Sequence, residues 1–251
     1  MSAPRFTAPL ACLTLMIAAS PALARQDYAW QGFAAADAMN TLHHNLLNRT
    51  NEAAQERRDR AAGRRPAARP TPSTALPANQ LTFRRDPAVT RAVQADLVQR
   101  VSKRDAVAGR ALSQDLARQD PITVATPVFR RFGLDTGNVV DATAIYFMGM
   151  WGVANNVEAQ MSPTQARGAR AHVARTVNFA GMGLNTPAAR QRYADSLVYQ
   201  ALLMDAAIER AQNQKDTAQQ RALADAAHGH MVSLGLDMRK LAITDQGFVS
   251  R

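Results

Sequence analysis

Asn138 to Glu158 reads NVVDATAIYFMGMWGVANNVE, and from Ala142 to Ala154 it carries no charged side chain. Tyr146, Phe147 and Trp151 lie within it, in a chain that is only 6% aromatic. A helix that is apolar on nearly every side is a buried one. This stretch is too short and too polar at its ends to span a bilayer, which takes about 20 apolar residues. It therefore predicts the central helix, over about 139–157, of an all-α domain built as a bundle around it. Asn138 is placed to cap that helix, and Asp141, three residues on, to reach back in a variant of the capping box. Tyr146 with Met150, and Phe147 with Trp151, are i, i+4 pairs that share a face. Gly149 and Gly152 each cost about 1 kcal/mol of helix propensity against alanine. Close approach of neighbouring helices accounts for them; a ligand groove beside them is the functional alternative. Trp151 is expected to be buried with its ring N–H paired, because an unpaired buried donor is costly.

The segment Met1–Ala24 has the pattern of a secretory signal peptide. Arg5 supplies a positive start, Leu10 to Ala19 an apolar stretch, and Pro21-Ala22-Leu23-Ala24 a small-residue cleavage site. A lipoprotein signal at Cys12 would have too little apolar sequence before it, and the apolar run is too short for an anchor. Cleavage after Ala24 removes Cys12, the chain's one cysteine. The mature protein is then expected in the periplasm or outside the cell, without a disulfide, a thiol nucleophile or a thiolate metal ligand. It has to hold together through its hydrophobic core.

Residues 25–50 open with Tyr28, Trp30 and Phe33, and a ragged helical period predicts a helix from about Ala34 to Asn48. Residues 51–80 differ in kind. Six arginines from Arg57 to Arg69, and Pro66, Pro70, Pro72 and Pro77, stand almost without large apolar residues. That composition buries no core and reads as a basic, Pro-rich disordered linker. The whole chain has 30 basic and 20 acidic residues, a formal net charge of +10, and only Lys103, Lys215 and Lys240 among the basics are lysines. Such a charge suits an anionic glycan, an anionic lipid surface or nucleic acid. Export makes nucleic acid the poorest of these, and a solvated basic surface with no dedicated partner is the plainest reading.

The domain proper is expected over 81–251. Leu81 to Phe83 suggests a short strand, and Asp86-Pro87 starts a helix whose Val89, Val93, Leu97 and Val101 recur every four residues. Ala108, Ala111, Leu112 and Leu116 mark a second helix. Pro121 to Thr136 reads as a connector whose Val128, Phe129 and Phe132 plug into the core. Ser162-Pro163-Thr164-Gln165 is a capping box. The helix it opens shows Ala166, Ala169, Val173, Val177 and Ala180 inward and stops at Gly181-Met182-Gly183. Thr186-Pro187 opens another, with Tyr193, Leu197, Ala201, Met204 and Ile208 buried. Asp216 caps a last helix with Leu223, Ala227, Met231 and Leu234 inward, closed by Gly235. One short strand in the tail after Leu241 is expected to pair with Leu81–Phe83.

LTFRRDPAVTRAV at Leu81–Val93, GLDTGNVVDATAIYFMGMWGVANN at Gly133–Asn156 and LAITDQGFV at Leu241–Val249 give the chain, with its leader and basic spacer, a family likeness. It resembles a family of exported bacterial helical proteins known only as a domain of unknown function. The resemblance implies a helical exported domain and carries over no activity and no functional residue.

The residues themselves assign no catalytic, cofactor-binding or metal-binding position. His228 and His230 lie about 200° apart on a helix, and His43 and His44 also diverge, so neither pair chelates one ion from one helix. No G-x-S-x-G elbow and no phosphate-cradling glycine loop occurs. A glycosidase needs two carboxylates facing each other across a substrate, and Glu158 with Asp141, Asp205 or Glu209 is the available pairing. Asp205 and Glu209 read more simply as a solvated helix face. Arg167 and Arg170 with His172 offer an anion site or, more simply, a basic surface. The function expected is that of a non-enzymatic helical binding protein meeting an envelope protein or an anionic glycan or lipid surface. A hydrolase of envelope polymer, using a carboxylate pair, is the alternative. Mass spectrometry of the exported protein should find Arg25 as its first residue; an intact Met1–Ala24 segment would contradict the leader.

Overall fold

In the computed structural model, residues 81–157, 161–180 and 182–251 are described. The expected leader, the segment 25–50, the linker 51–80, and Glu158 and Gly181 lie outside the described residues. Among the described residues seven helices follow one another: α1 Pro87–Ser102, α2 Ala106–Arg118, α3 Pro121–Arg131, α4 Val139–Ala154, α5 Pro163–Thr176, α6 Pro187–Asn213 and α7 Thr217–Ser233. A 3₁₀ turn, Met238–Lys240, then leads into the strands β1 Leu241–Thr244 and β2 Gly247–Ser250.

The caps follow the local chemistry. Asp86 accepts from the Ala88 N–H, Asp105 from Val107 and Ala108, Asp120 from Ile122 and Thr123, and Asp216 from Gln219. Each carboxylate meets orphan N–H groups at the positive end of a helix dipole. Ser162 and Gln165 form the reciprocal capping box expected of them, and Thr186 accepts from Ala189.

The central helix is α4, as its composition requires. It packs against α5, α6 and α7, and from Val139 to Met148 every residue is buried. Helices α4 and α6 run in the same direction, because Thr143 meets Tyr193 and Gly149 meets Ala201. A Cβ on Gly149 would stand 3.4 Å from the Ala201 Cβ, so this glycine marks the close approach; Gly152 is only half-buried. Helix α1 lies along α6 on its far side, and α2 packs on α1 as the outermost layer. Gly109 allows that contact, since a Cβ there would fall 2.0 Å from the Ser102 Oγ.

Several local expectations need correction. Pro121–Thr136 is not a connector throughout, because its first part is α3. The Asp-Pro start used at α1 recurs at Asp120-Pro121, and Ile122, Ala125, Val128 and Phe129 form a buried helical stripe. Pro127 is tolerated inside this short helix on its exposed face. Helix α5 ends at Thr176, before Val177 and Ala180. The Asn178 side chain accepts from the Ala180 N–H at 3.2 Å, a local bond that competes with continued helix. The tail pairs with itself rather than with Leu81–Phe83. Ile243 faces Phe248 and Thr244 faces Gly247 in an antiparallel hairpin, and Gly247 has φ +99°. Thr82 bridges Asn138 instead, and the Phe83 N–H donates to the Gly137 carbonyl at 2.9 Å. Asp141 does not reach back to its helix start; its carboxylate accepts from the Asp135 N–H at 2.8 Å and from Arg170 Nε.

The hairpin sits on α5 through two glycines. A Cβ on Gly168 would come within 2.4 Å of the Asp245 carbonyl oxygen, and one on Gly247 within 2.5 Å of the His172 Cβ. Phe248 meets the rings of Phe147 and His172 edge-on, with centroids 6.3 and 5.7 Å away. Gly168→Ala should therefore lower the melting temperature, at a cost of about 1–3 kcal/mol from displaced backbone. Helix propensity alone predicts a gain of about 1 kcal/mol. A variant that melts higher than the parent would show that the hairpin does not rest on α5.

Candidate functional site

The most developed polar cluster lies where the LTFRRDP segment meets α6. Gln191, Asp195 and Tyr199 recur at four-residue spacing beside the apolar stripe of α6. Asp195 is 0% exposed and ion-pairs with Arg85, while Thr90 Oγ1 and Gln191 Nε2 donate to its other oxygen at 3.3 and 3.2 Å. Arg85 also reaches Asp120 at 3.5 Å. Tyr199 donates to Asp120 at 2.6 Å and accepts from Gln94 at 2.8 Å. Gln191 grips the Asp86 backbone twice, accepting from its N–H at 2.7 Å and donating to its carbonyl at 3.0 Å. Burial pushes the Asp195 carboxyl up to about 6 against the pull of Arg85. The cluster pairs its carboxylates, amides and hydroxyls among themselves, leaves only the buried Arg85 Nε without a partner, and locks α1, α3 and α6 together, which is a structural role. Sequence reasoning passed over it, although the Gln191–Asp195–Tyr199 spacing was its signal.

The carboxylates singled out from sequence do not converge. Asp141 is buried at the first turn of α4, held by Arg170 and the Asp135 N–H; burial raises its pKa while these partners pull it down. Asp205 lies one turn beyond Ala201 on α6, level with the other end of α4. Parallel helices thus hold the two roughly 15–20 Å apart along the axis, outside glycosidase spacing. Asp205 and Glu209 do stand together as an i, i+4 pair. Asp205 is half-buried rather than part of a freely solvated face, and burial, with the Glu209 charge adding to it, pushes its carboxyl up to about 7. Glu158 lies outside the described residues.

The histidines also separate. His172 meets Phe248 edge-on, and burial, then the charge of Arg175, lowers its pKa. Arg170 turns to Asp141, and Arg167 donates to Thr164 at 3.2 Å, so the Arg167–Arg170–His172 trio does not gather. His228 Nδ1 is 3.7 Å from Asp237, which also holds Lys240 at 3.1 Å. His230 has its pKa lowered by burial. Among the described residues no group of three His, Cys, Asp or Glu side chains is placed to hold a metal ion. His43 and His44 lie outside the described residues.

What the fold does organise is charge. Asp86, Asp105, Asp120 and Asp216 are committed to caps, and Asp141 and Asp195 are buried against arginines. Basic side chains occupy the last turns instead: Arg100, Arg118, Arg130, Arg131, Arg175 and Arg210. These offset the negative ends of the helix dipoles. Arg91, Lys103, Arg104 and Arg110 of the α1–α2 layer are exposed, Lys103 at the C-cap of α1 and Arg91 and Arg110 away from any helix C-terminus. The acids of the same layer are committed. Asp96 pairs with Arg192 at 3.5 Å, Asp105 caps α2, and Asp115 is buried. The candidate site is thus a basic outer layer.

The chain belongs to the family of unknown function DUF6683. The family's model matches residues 5–251. No curated protein and no solved structure matches the chain. Among the described residues, no helix is long and apolar enough to cross a membrane.

Asp205 gives a pH test. Its folded-state pKa, about 7, lies above the unfolded value of 3.8. The folded protein therefore binds the extra proton, and the stability this confers is full below about pH 4 and lost as pH rises through about 7. Asp205→Asn should melt a few degrees above the parent at pH 8 and level with it at pH 4. Equal melting temperatures at both values would place Asp205 in water.

Proposed function

We propose that the protein is an exported helical binding protein, acting in the periplasm or outside the cell, whose basic outer layer meets an anionic surface. The observation that carries the reading is the distribution of charge over α1 and α2: the acids are committed to caps, burial or an ion pair, and cations remain exposed. The leader pattern of Met1–Ala24 supports export, and the arginines between Arg57 and Arg69 add charge of the same sign. Long-range attraction of this kind steers an anionic partner and weakens as salt shortens the Debye length from about 10 Å at 0.1 M toward 3 Å at 1 M.

One observation favours the alternative, a hydrolase of envelope polymer. Asp205 has the raised pKa of a general acid. Its neighbour Glu209 projects from the same helix one turn on, whereas a glycosidase's second carboxylate faces the first across the substrate. The binding reading is the better supported.

The test is partition of the purified protein onto sulfated polysaccharide and onto phosphatidylglycerol vesicles, against neutral versions of each. Retention on at least one anionic surface at low salt, falling several-fold by 1 M, is the expected result. No preference for either anionic surface over its neutral counterpart would overturn the reading.

A further inference from the structure

We infer that the turn joining α1 to α2 is a contact site for an anionic phospholipid surface. This deepens the reading above and rests on it. The turn runs through Lys103, Arg104 and Asp105, and the first two are exposed. The Asp105 carboxylate is turned to the start of α2, where it accepts from the Val107 and Ala108 N–H groups at 2.8 and 3.0 Å. Arg110 follows on α2, one turn past Val107 and on the same face. It lies toward the N-terminal end of its helix, where the dipole gives a cation nothing. Neither Lys103 nor Arg110 makes an ion pair among the described residues.

Val107 distinguishes one anionic partner from another. It is 54% exposed, in the first turn of α2 between Lys103 and Arg110. An exposed apolar side chain with exposed cations before and after it along the chain matches a bilayer surface, where phosphates take the charges and the interfacial region takes the isopropyl group. A sulfated or carboxylated glycan would engage the cations and gain little from the valine. The turn is held rigidly for such a contact. Gly109 seats α2 against Ser102 too closely for any side chain at that position, and the Asp105 N–H donates to the Val101 carbonyl at 2.9 Å.

The test uses the protein as purified from producing cells, with vesicles of phosphatidylglycerol mixed into phosphatidylcholine and, separately, with sulfated polysaccharide. Lys103→Glu with Arg110→Glu should weaken vesicle binding by about tenfold or more. The pair Arg131→Glu with Arg167→Glu, at the end of the domain where α4 begins, makes the same change in net charge and should weaken it far less. Val107→Ser should lower vesicle binding a few-fold and leave polysaccharide binding unchanged. Circular dichroism and melting confirm that each variant is folded. Equal losses from the two charge-reversal pairs would overturn the inference, because net charge alone would then act. A Val107→Ser loss on polysaccharide but not on vesicles would make the turn a glycan contact, overturning the lipid assignment while leaving the basic-surface reading intact. A parent that binds neither surface would remove both.

Discussion

Burying α4 requires that the polar groups at its ends find partners, the start deep in the protein and the other end half-buried. A helix leaves four N–H groups and four carbonyls without intrahelical partners. At the start, Asn138 accepts from the Val140 and Asp141 N–H groups, and Asp141 turns outward to Arg170 and the Asp135 backbone. At the other end, α4 has no basic side chain of its own. Arg239, from far along the chain, donates its Nε to the Ala154 carbonyl at 3.0 Å, and Asn155 donates to the carbonyls of Trp151 and Met238 at 2.9 and 3.1 Å. Trp151 donates its ring N–H to the Leu241 carbonyl at 2.8 Å. The Asn155, Asn156 and Val157 N–H groups close the helix locally on the Trp151, Val153 and Gly152 carbonyls, and the 3₁₀ turn and hairpin complete the cap by tertiary contact.

This explains why much of the fold was legible in the sequence and why particular parts were not. Helices α1, α5, α6 and α7 announce themselves through caps within three residues and stripes at helical spacing, both local signals. Helix α3 was read as part of a connector, although the Asp120-Pro121 start was the same signal used correctly at Asp86-Pro87. The partner of the tail was misassigned because a hairpin and a long-range pairing have the same alternating pattern, and only the turn at Gly247 separates them. Trp151 was expected to be buried and paired; it is paired, but half-buried, since its ring lies at the edge between α4 and the tail. The cap from Arg239 has no local signature at all, because it depends on two segments about eighty residues apart.

The candidate site was legible only as composition. An excess of arginine says nothing of where the charge goes until the caps and buried pairs are assigned. Once they are, most carboxylates prove to be structural, and many arginines offset helix ends. The basic layer of α1 and α2 is what is left over, and it is a smaller and more local object than the formal charge of the whole chain suggests. The raised carboxyl of Asp205 was not readable either, because burial of one face of α6 depends on what packs there.

The parallel course of α4 and α6 bears on how the molecule is made. Parallel neighbours must be joined by a crossover, here the segment holding α5, so their contacts cannot form from one local hairpin. Contacts of long sequence separation slow folding. The cap on α4 comes later still, from Arg239 and the strands beyond it. A growing chain can therefore close α1 onto α2 early, yet it cannot seal its central helix until Arg239 has been synthesised. This late-made segment acts as a latch, and until it arrives the most apolar stretch of the protein has one open end.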